Sequence, residues 1–128
     1  MAEIASPAKR GRRTVICALE ELPEGERRVV EINGRSVGVF HTRRGELYAL
    51  RNICPHHGAQ LCLGKVQSTI VLNEAGEQIL GFEDRILRCP WHGYEFDLST
   101  GRSLTAPGRW RVRSYDVAIE DGAVVVYN

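Results

Sequence analysis

Cys54-Pro55-His56-His57-Gly58 and Cys89-Pro90-Trp91-His92-Gly93 are two short stretches built to one plan. Each sets a Cys and an imidazole a few residues apart, follows the Cys with a Pro, and closes on a Gly. Brought together, they offer two sulfurs and two nitrogens, a ligand set that suits zinc or iron–sulfur chemistry. Pro55 and Pro90 stiffen the loops. Gly58 and Gly93 can take a positive φ, which folds the chain back and turns backbone N–H groups toward sulfur. The spacing leaves a choice open. Cys54 with His57 makes both stretches Cys-x2-His, which would suit one tetrahedral structural zinc. Cys54 with His56 makes an unequal pair.

Outward from these boxes the chain reads as strands. Thr14-Val15-Ile16-Cys17-Ala18 is a first strand, and Leu22-Pro23-Glu24-Gly25 a turn. Arg28 to Ile32, Asn33-Gly34, and Arg35 to Phe40 form a hairpin pattern, because Asn-Gly tolerates the positive φ values of a type I′ turn. Leu47-Tyr48-Ala49-Leu50 leads into the first box. Between the boxes, Thr69 to Leu72 and Gln78 to Leu80 flank Asn73-Glu74-Ala75-Gly76 as a second hairpin. Arg85 to Arg88 is a short strand entering the second box, and Tyr94-Glu95-Phe96 another leaving it. After Ala106-Pro107-Gly108, a long strand is expected from Trp110 to Ile119, then Ala123 to Tyr127 beyond Glu120-Asp121-Gly122. A short helical turn fits Ala59 to Leu63. Period-two alternation over many short segments predicts an all-β antiparallel sandwich or barrel.

Composition narrows the function classes. At 128 residues the chain is one domain with room for a core. Its 17 basic and 16 acidic residues nearly cancel. No broad field attracts nucleic acid or an anionic membrane. Residues 1–13 read as a flexible tail, and residues 14–128 as the folded domain. Arg12-Arg13 could pass for an export signal, but Glu20-Glu21 cut short the apolar run that follows. No membrane span is predicted, and a cytoplasmic location is expected. Cys17 and Cys62, outside the boxes, are expected to be free buried thiols. His41 lies within a strand and is expected to be structural.

The unequal pairing, Cys-x-His then Cys-x2-His, resembles the Rieske signature. The likeness extends from Cys54 through Leu61, from Cys89 through Gly101, and to the flanking Leu47-Tyr48-Ala49-Leu50, Tyr115-Asp116-Val117 and Asp121-Gly122. It covers roughly residues 14–128. The resemblance implies a [2Fe–2S] cluster with Cys54 and Cys89 on one iron, His56 and His92 on the other, and His57 beside it as a neighbour. It also implies a cluster-binding subdomain, about residues 51–101, at one tip of the fold. The gap between boxes is longer than the family pattern, and residues 68–82 account for the surplus as a hairpin insertion.

Departures from the high-potential members of that family are informative. Those members join their boxes by a disulfide; the matching positions here are Ala59 and Trp91. They also carry a Ser and a Tyr whose hydroxyls bond a cluster sulfur, where this chain has Tyr94 and Phe96. Fewer hydrogen bonds to sulfur stabilise the reduced, more negative cluster less, which places the potential near the low end of the Rieske range, roughly −150 mV. Leu61 and Trp91 are expected to cover the cluster.

The resemblance implies a one-electron carrier, not itself catalytic, that takes electrons from a flavin-dependent reductase and delivers them to a non-haem iron oxygenase component. The stretch after His92 holds no further His, so the oxygenase's own iron domain is not expected here. Two alternatives stand beside it: a small Rieske subunit of a larger oxidoreductase such as nitrite reductase, and a zinc-stapled binding module without redox function.

Overall fold

The computed structural model describes residues 11–55, 58–91, 93–104 and 110–128. Among the described residues, nine strands, all paired antiparallel, form two sheets. The strands are β1 (Arg13–Ala18), β2 (Arg27–Ile32), β3 (Arg35–His41), β4 (Leu47–Arg51), β5 (Lys65–Leu72), β6 (Gln78–Arg88), β7 (Glu95–Asp97), β8 (Ser114–Glu120) and β9 (Ala123–Tyr127). The larger sheet runs β1-β9-β8-β4-β3-β2, and the smaller β5-β6-β7. Two single turns of 3₁₀ helix, Leu19–Glu21 and Leu61–Leu63, are the only helical elements among the described residues. None of these is long and apolar enough to cross a membrane.

Turn chemistry sets the register where the sequence says it should. Asn33 (φ 52°) and Gly34 (φ 75°) close β2 onto β3 with Ile32 opposite Arg35, the geometry of a type I′ hairpin. At the other end, Arg12 and Asn128 exchange two backbone hydrogen bonds (3.1 and 3.0 Å), which continues the β1–β9 ladder.

The strands β3 and β4 are buried on both faces, which explains the runs Val37-Gly38-Val39-Phe40 and Leu47-Tyr48-Ala49-Leu50. Successive side chains on a strand point to opposite faces. Val37, Val39, Leu47 and Ala49 therefore enter one core with Leu22, Ile32, Val117, Val124 and Val126. Phe40 and Leu50 enter a second core with Leu61, Cys62, Leu87, Phe96, Leu98 and Val112. The β3–β4 pair is thus a wall between the large sheet's own interior and the unit that carries the boxes.

Two strand expectations are corrected. Gln78–Leu80 and Arg85–Arg88 are parts of one strand, β6, with a bulge between them. Gln67 pairs with Ile86 and Thr69 with Gly81, so Ser68 alone faces Phe82, Glu83, Asp84 and Arg85. Phe82 (φ 49°) and Asp84 (φ 53°) supply the left-handed backbone, and the Asp84 N–H donates to Ser68 Oγ at 3.0 Å. The long strand expected from Trp110 is also shorter: β8 begins at Ser114, and before it the chain makes an isolated bridge, Arg102 to Arg111, with backbone hydrogen bonds from Ser103 to Trp110 and from Val112 to Gly101. The Ala106-Pro107-Gly108 turn lies outside the described residues.

Candidate metal centre

The two boxes leave different sheets, box 1 the large one and box 2 the small one. Box 1 follows β4, and box 2 joins β6 to β7. Their described backbone hydrogen bonds match. In box 1 the Cys54 N–H donates to Ala59 O (2.8 Å) and the Gly58 N–H to Cys54 O (2.7 Å). In box 2 the Cys89 N–H donates to Tyr94 O (2.8 Å) and the Gly93 N–H to Cys89 O (3.1 Å). Gly58 and Gly93 have φ of 73° and 72°, a conformation that a residue with a Cβ resists.

Both box cysteines are buried in the same cluster of side chains, with Phe40, Leu50, Leu61, Leu87 and Phe96. Neither forms a disulfide. Two unbridged thiols held by twin turns in one apolar setting fit a thiolate-ligated centre, and an imidazole in each turn would complete a mixed sulfur–nitrogen set. His56, His57 and His92 lie outside the described residues. Ala59 is buried and Phe96 is part of the core, so neither position offers a sulfur bridge or a hydroxyl. Leu61 and Trp91 differ sharply: Leu61 is fully buried, whereas Trp91 is 64% exposed.

A polar clamp fixes the segment that links the boxes. Asn52, two residues before Cys54, is buried. Its Oδ1 accepts from the Cys62 N–H at 2.7 Å, its Nδ2 donates to Ser36 Oγ at 3.0 Å, and its own N–H donates to Ser36 O at 2.9 Å. Arg27 comes from β2 and donates through one Nη to Cys62 O (2.7 Å) and to Gly64 O. Its guanidinium also stacks 5.2 Å from the Phe40 ring centroid, and burial pushes its pKa down. Two glycines allow this packing. A Cβ on Gly38 would meet Cys62 Sγ at 2.5 Å, and one on Gly64 would fall on the carbonyl oxygen of Arg88, the residue before Cys89. These residues tie both boxes to β2 and β3. Sequence reading missed them, because their partners lie 10 to 37 positions away and only the conspicuous Asn52 beside a box hints at the network.

The remaining sites behave as expected. Cys17 and Cys62 are free and buried, and burial pushes the Cys62 thiol up to about 12. His41 Nδ1 lies 2.7 Å from Leu22 O, a structural contact. At the end of β7, Asp97 pairs with Arg85 of β6 (3.0 Å), and its Oδ1 also accepts from the Ser99 N–H and hydroxyl at 2.9 and 2.7 Å.

Strands that deliver twin cysteine turns to one buried cluster make a β-fold that fits a thiolate-ligated metal centre. The sequence matches the Rieske [2Fe-2S] domain over residues 12–116. It is 32% identical over 109 residues to the ferredoxin component of a naphthalene 1,2-dioxygenase system from Pseudomonas aeruginosa, covering 85% of this chain and 88% of that relative. The fold is similar to the ferredoxin of carbazole 1,9a-dioxygenase from Nocardioides aromaticivorans IC177, with a TM-score of 0.67, 25% identity, and coverage of 90% and 96% of the two chains. It also matches a protein described as an NADH-dependent nitrite reductase small subunit from Mycobacterium tuberculosis (TM-score 0.69, 23% identity, coverage 91% and 95%), a likeness of fold. The chain belongs to the Rieske [2Fe–2S] family.

Proposed function

We propose that the chain is a one-electron carrier, a ferredoxin that links a flavin-dependent reductase to a non-haem iron oxygenase component. The observation that carries this reading is correspondence over nearly the whole of both chains with a dioxygenase-system ferredoxin component, joined to two buried, unbridged cysteines in twin turns. Cys54 and His56 from box 1 and Cys89 and His92 from box 2 would hold one [2Fe–2S] cluster, sulfur on one iron and nitrogen on the other. When bound, such a cluster supplies one reversible electron. The chain's part is to hold the ligands, keep water from the thiolate side with Leu61, Leu87 and Phe96, and leave the box rims open to partners. Phe96 carries no hydroxyl to bond a sulfur, which supports a potential near roughly −150 mV.

Purified protein should be red-brown, hold two irons and two inorganic sulfides per chain, and develop the EPR signal of a mixed-ligand cluster on reduction. A colourless protein with one tightly bound zinc would overturn the reading. His56→Ala should lose the cluster and His57→Ala should keep it; the reverse would reassign box 1.

A further inference from the structure

We propose that Leu63, Lys65, Arg88 and Trp91 form a docking groove on the box 2 side of the centre, fitted to a redox partner whose face carries carboxylates around an apolar socket. The inference rests on the electron-carrier reading above and adds which rim is used and what the partner must present.

The groove is open, about 520 Å³ in volume, and one wall is the backbone of box 2 itself at Cys89, Pro90, Trp91 and Gly93. The other wall is Leu63, Gly64 and Lys65. Leu63 is 60% exposed although Leu61, on the same helical turn, is fully buried. Trp91 is equally out in solvent. Two large apolar side chains flanking one groove beside a metal-centre loop are the anchors that protein interfaces use.

The charge arrangement identifies the occupant. Lys65 and Arg88 are direct cross-strand partners in the β5–β6 ladder. Like charges placed directly opposite destabilise a sheet. Neither cation has a carboxylate within 4.0 Å among the described residues, whereas Arg13, Arg44 and Arg85 find Glu120, Glu83 and Asp97. The groove lining contains no acidic residue. Arg88 also leans over box 2: a Cβ on Gly93 would meet its guanidinium at 2.8 Å. With a net charge of only +1, the chain has little long-range field, so attraction must be local. Arg88 also faces Glu95 across the β6–β7 ladder, which offsets part of its charge, and Lys65 stands on the outer strand with no acidic residue opposite; a carboxylate-bearing face would complement it. A second copy would not, because a two-fold contact sets Lys65 and Arg88 against themselves. Two anchors and two charges suit a small transient interface.

The test measures electron transfer from the reduced, cluster-loaded protein to two one-electron haem acceptors, cytochrome b5 (acidic around its haem edge) and cytochrome c (basic there). One electron leaves the cluster and reduces ferric haem to ferrous. At low salt, Lys65→Glu should slow transfer to cytochrome b5 about fivefold and speed transfer to cytochrome c, and both effects should fade at high salt. Leu63→Ser should slow cytochrome b5 at every salt concentration. Lys65→Glu should also raise the melting temperature, since it turns a like-charge pair into an opposite one. Rates to both acceptors that change by less than twofold, or that move in the same direction, would overturn the proposal. Protein that binds no cluster would instead sink the carrier reading, before any rate is measured.

Discussion

Asn52 is the residue whose removal most directly tests the clamp. Its side chain makes two hydrogen bonds, one to a fully buried donor and one to an exposed acceptor. In Asn52→Ala the Cys62 N–H loses its acceptor in a place that water does not reach, which costs about 1–3 kcal/mol. Ser36 is exposed, so water replaces the second bond and adds only about 0.5 kcal/mol. The sum, about 1.5–3.5 kcal/mol, corresponds to a fall in melting temperature of about 6–14 °C for a chain of this size. Asn52→Asp separates hydrogen bonding from packing. A carboxylate oxygen still accepts from the Cys62 N–H, and the Ser36 hydroxyl can turn to donate, so the variant should recover more than half of the loss. Thermal unfolding followed by circular dichroism reads both. A melting point for Asn52→Ala within 3 °C of wild type, or an Asp variant as unstable as the Ala variant, would refute the reasoning.

Alkali should weaken the fold through Cys62 and Tyr48, whose pKa values burial raises to about 12. The unfolded thiol releases its proton near 9.0 while the folded one keeps it, so the unfolded state binds fewer protons and stability falls as pH rises from 9 toward 12. The slope attributable to Cys62 is on the order of 1.4 kcal/mol per pH unit, and urea unfolding at several pH values checks it. Gly64→Ala should displace the Arg88 carbonyl and with it Cys89; iron content should fall even where circular dichroism shows a folded protein. Gly38→Ala must push Cys62 Sγ and the Phe40 ring, each within 3.1 Å of the added carbon, and should cost about 1–3 kcal/mol in urea unfolding.

Much of the architecture was legible because it follows from local rules. Alternation marked strands, Asn33-Gly34 marked a type I′ turn, and paired Cys-Pro stretches marked the centre. Where the reading failed, the reason was non-local. Gln78 to Arg88 looks like two strands because Phe82 and Asp84 interrupt the alternation; only pairing with β5 shows a bulge within one strand. Trp110 to Arg113 has the residues of a strand, yet packing of Val112 into the box core takes it out of the ladder. Arg27 looks like any surface arginine at a strand start. Its role depends on two carbonyl groups that the chain brings back 35 and 37 residues later.

The clamp explains how a small β-protein can hold its two boxes in fixed relation without a disulfide between them. Box 1 is tied to β3 through Asn52 and Ser36. The linking turn is tied to β2 through Arg27, and Gly64 rests on the backbone that leads into box 2. Hydrogen bonds to buried backbone groups resist displacement because breaking them strands a donor or acceptor away from water. The distal half of the β5–β6 hairpin lies beyond the bulge, with Ile70, Leu72 and Leu80 exposed, and none of the clamp residues comes from it. The position of the centre is therefore set across the β3–β4 wall, and the hairpin tip can differ in length without disturbing it.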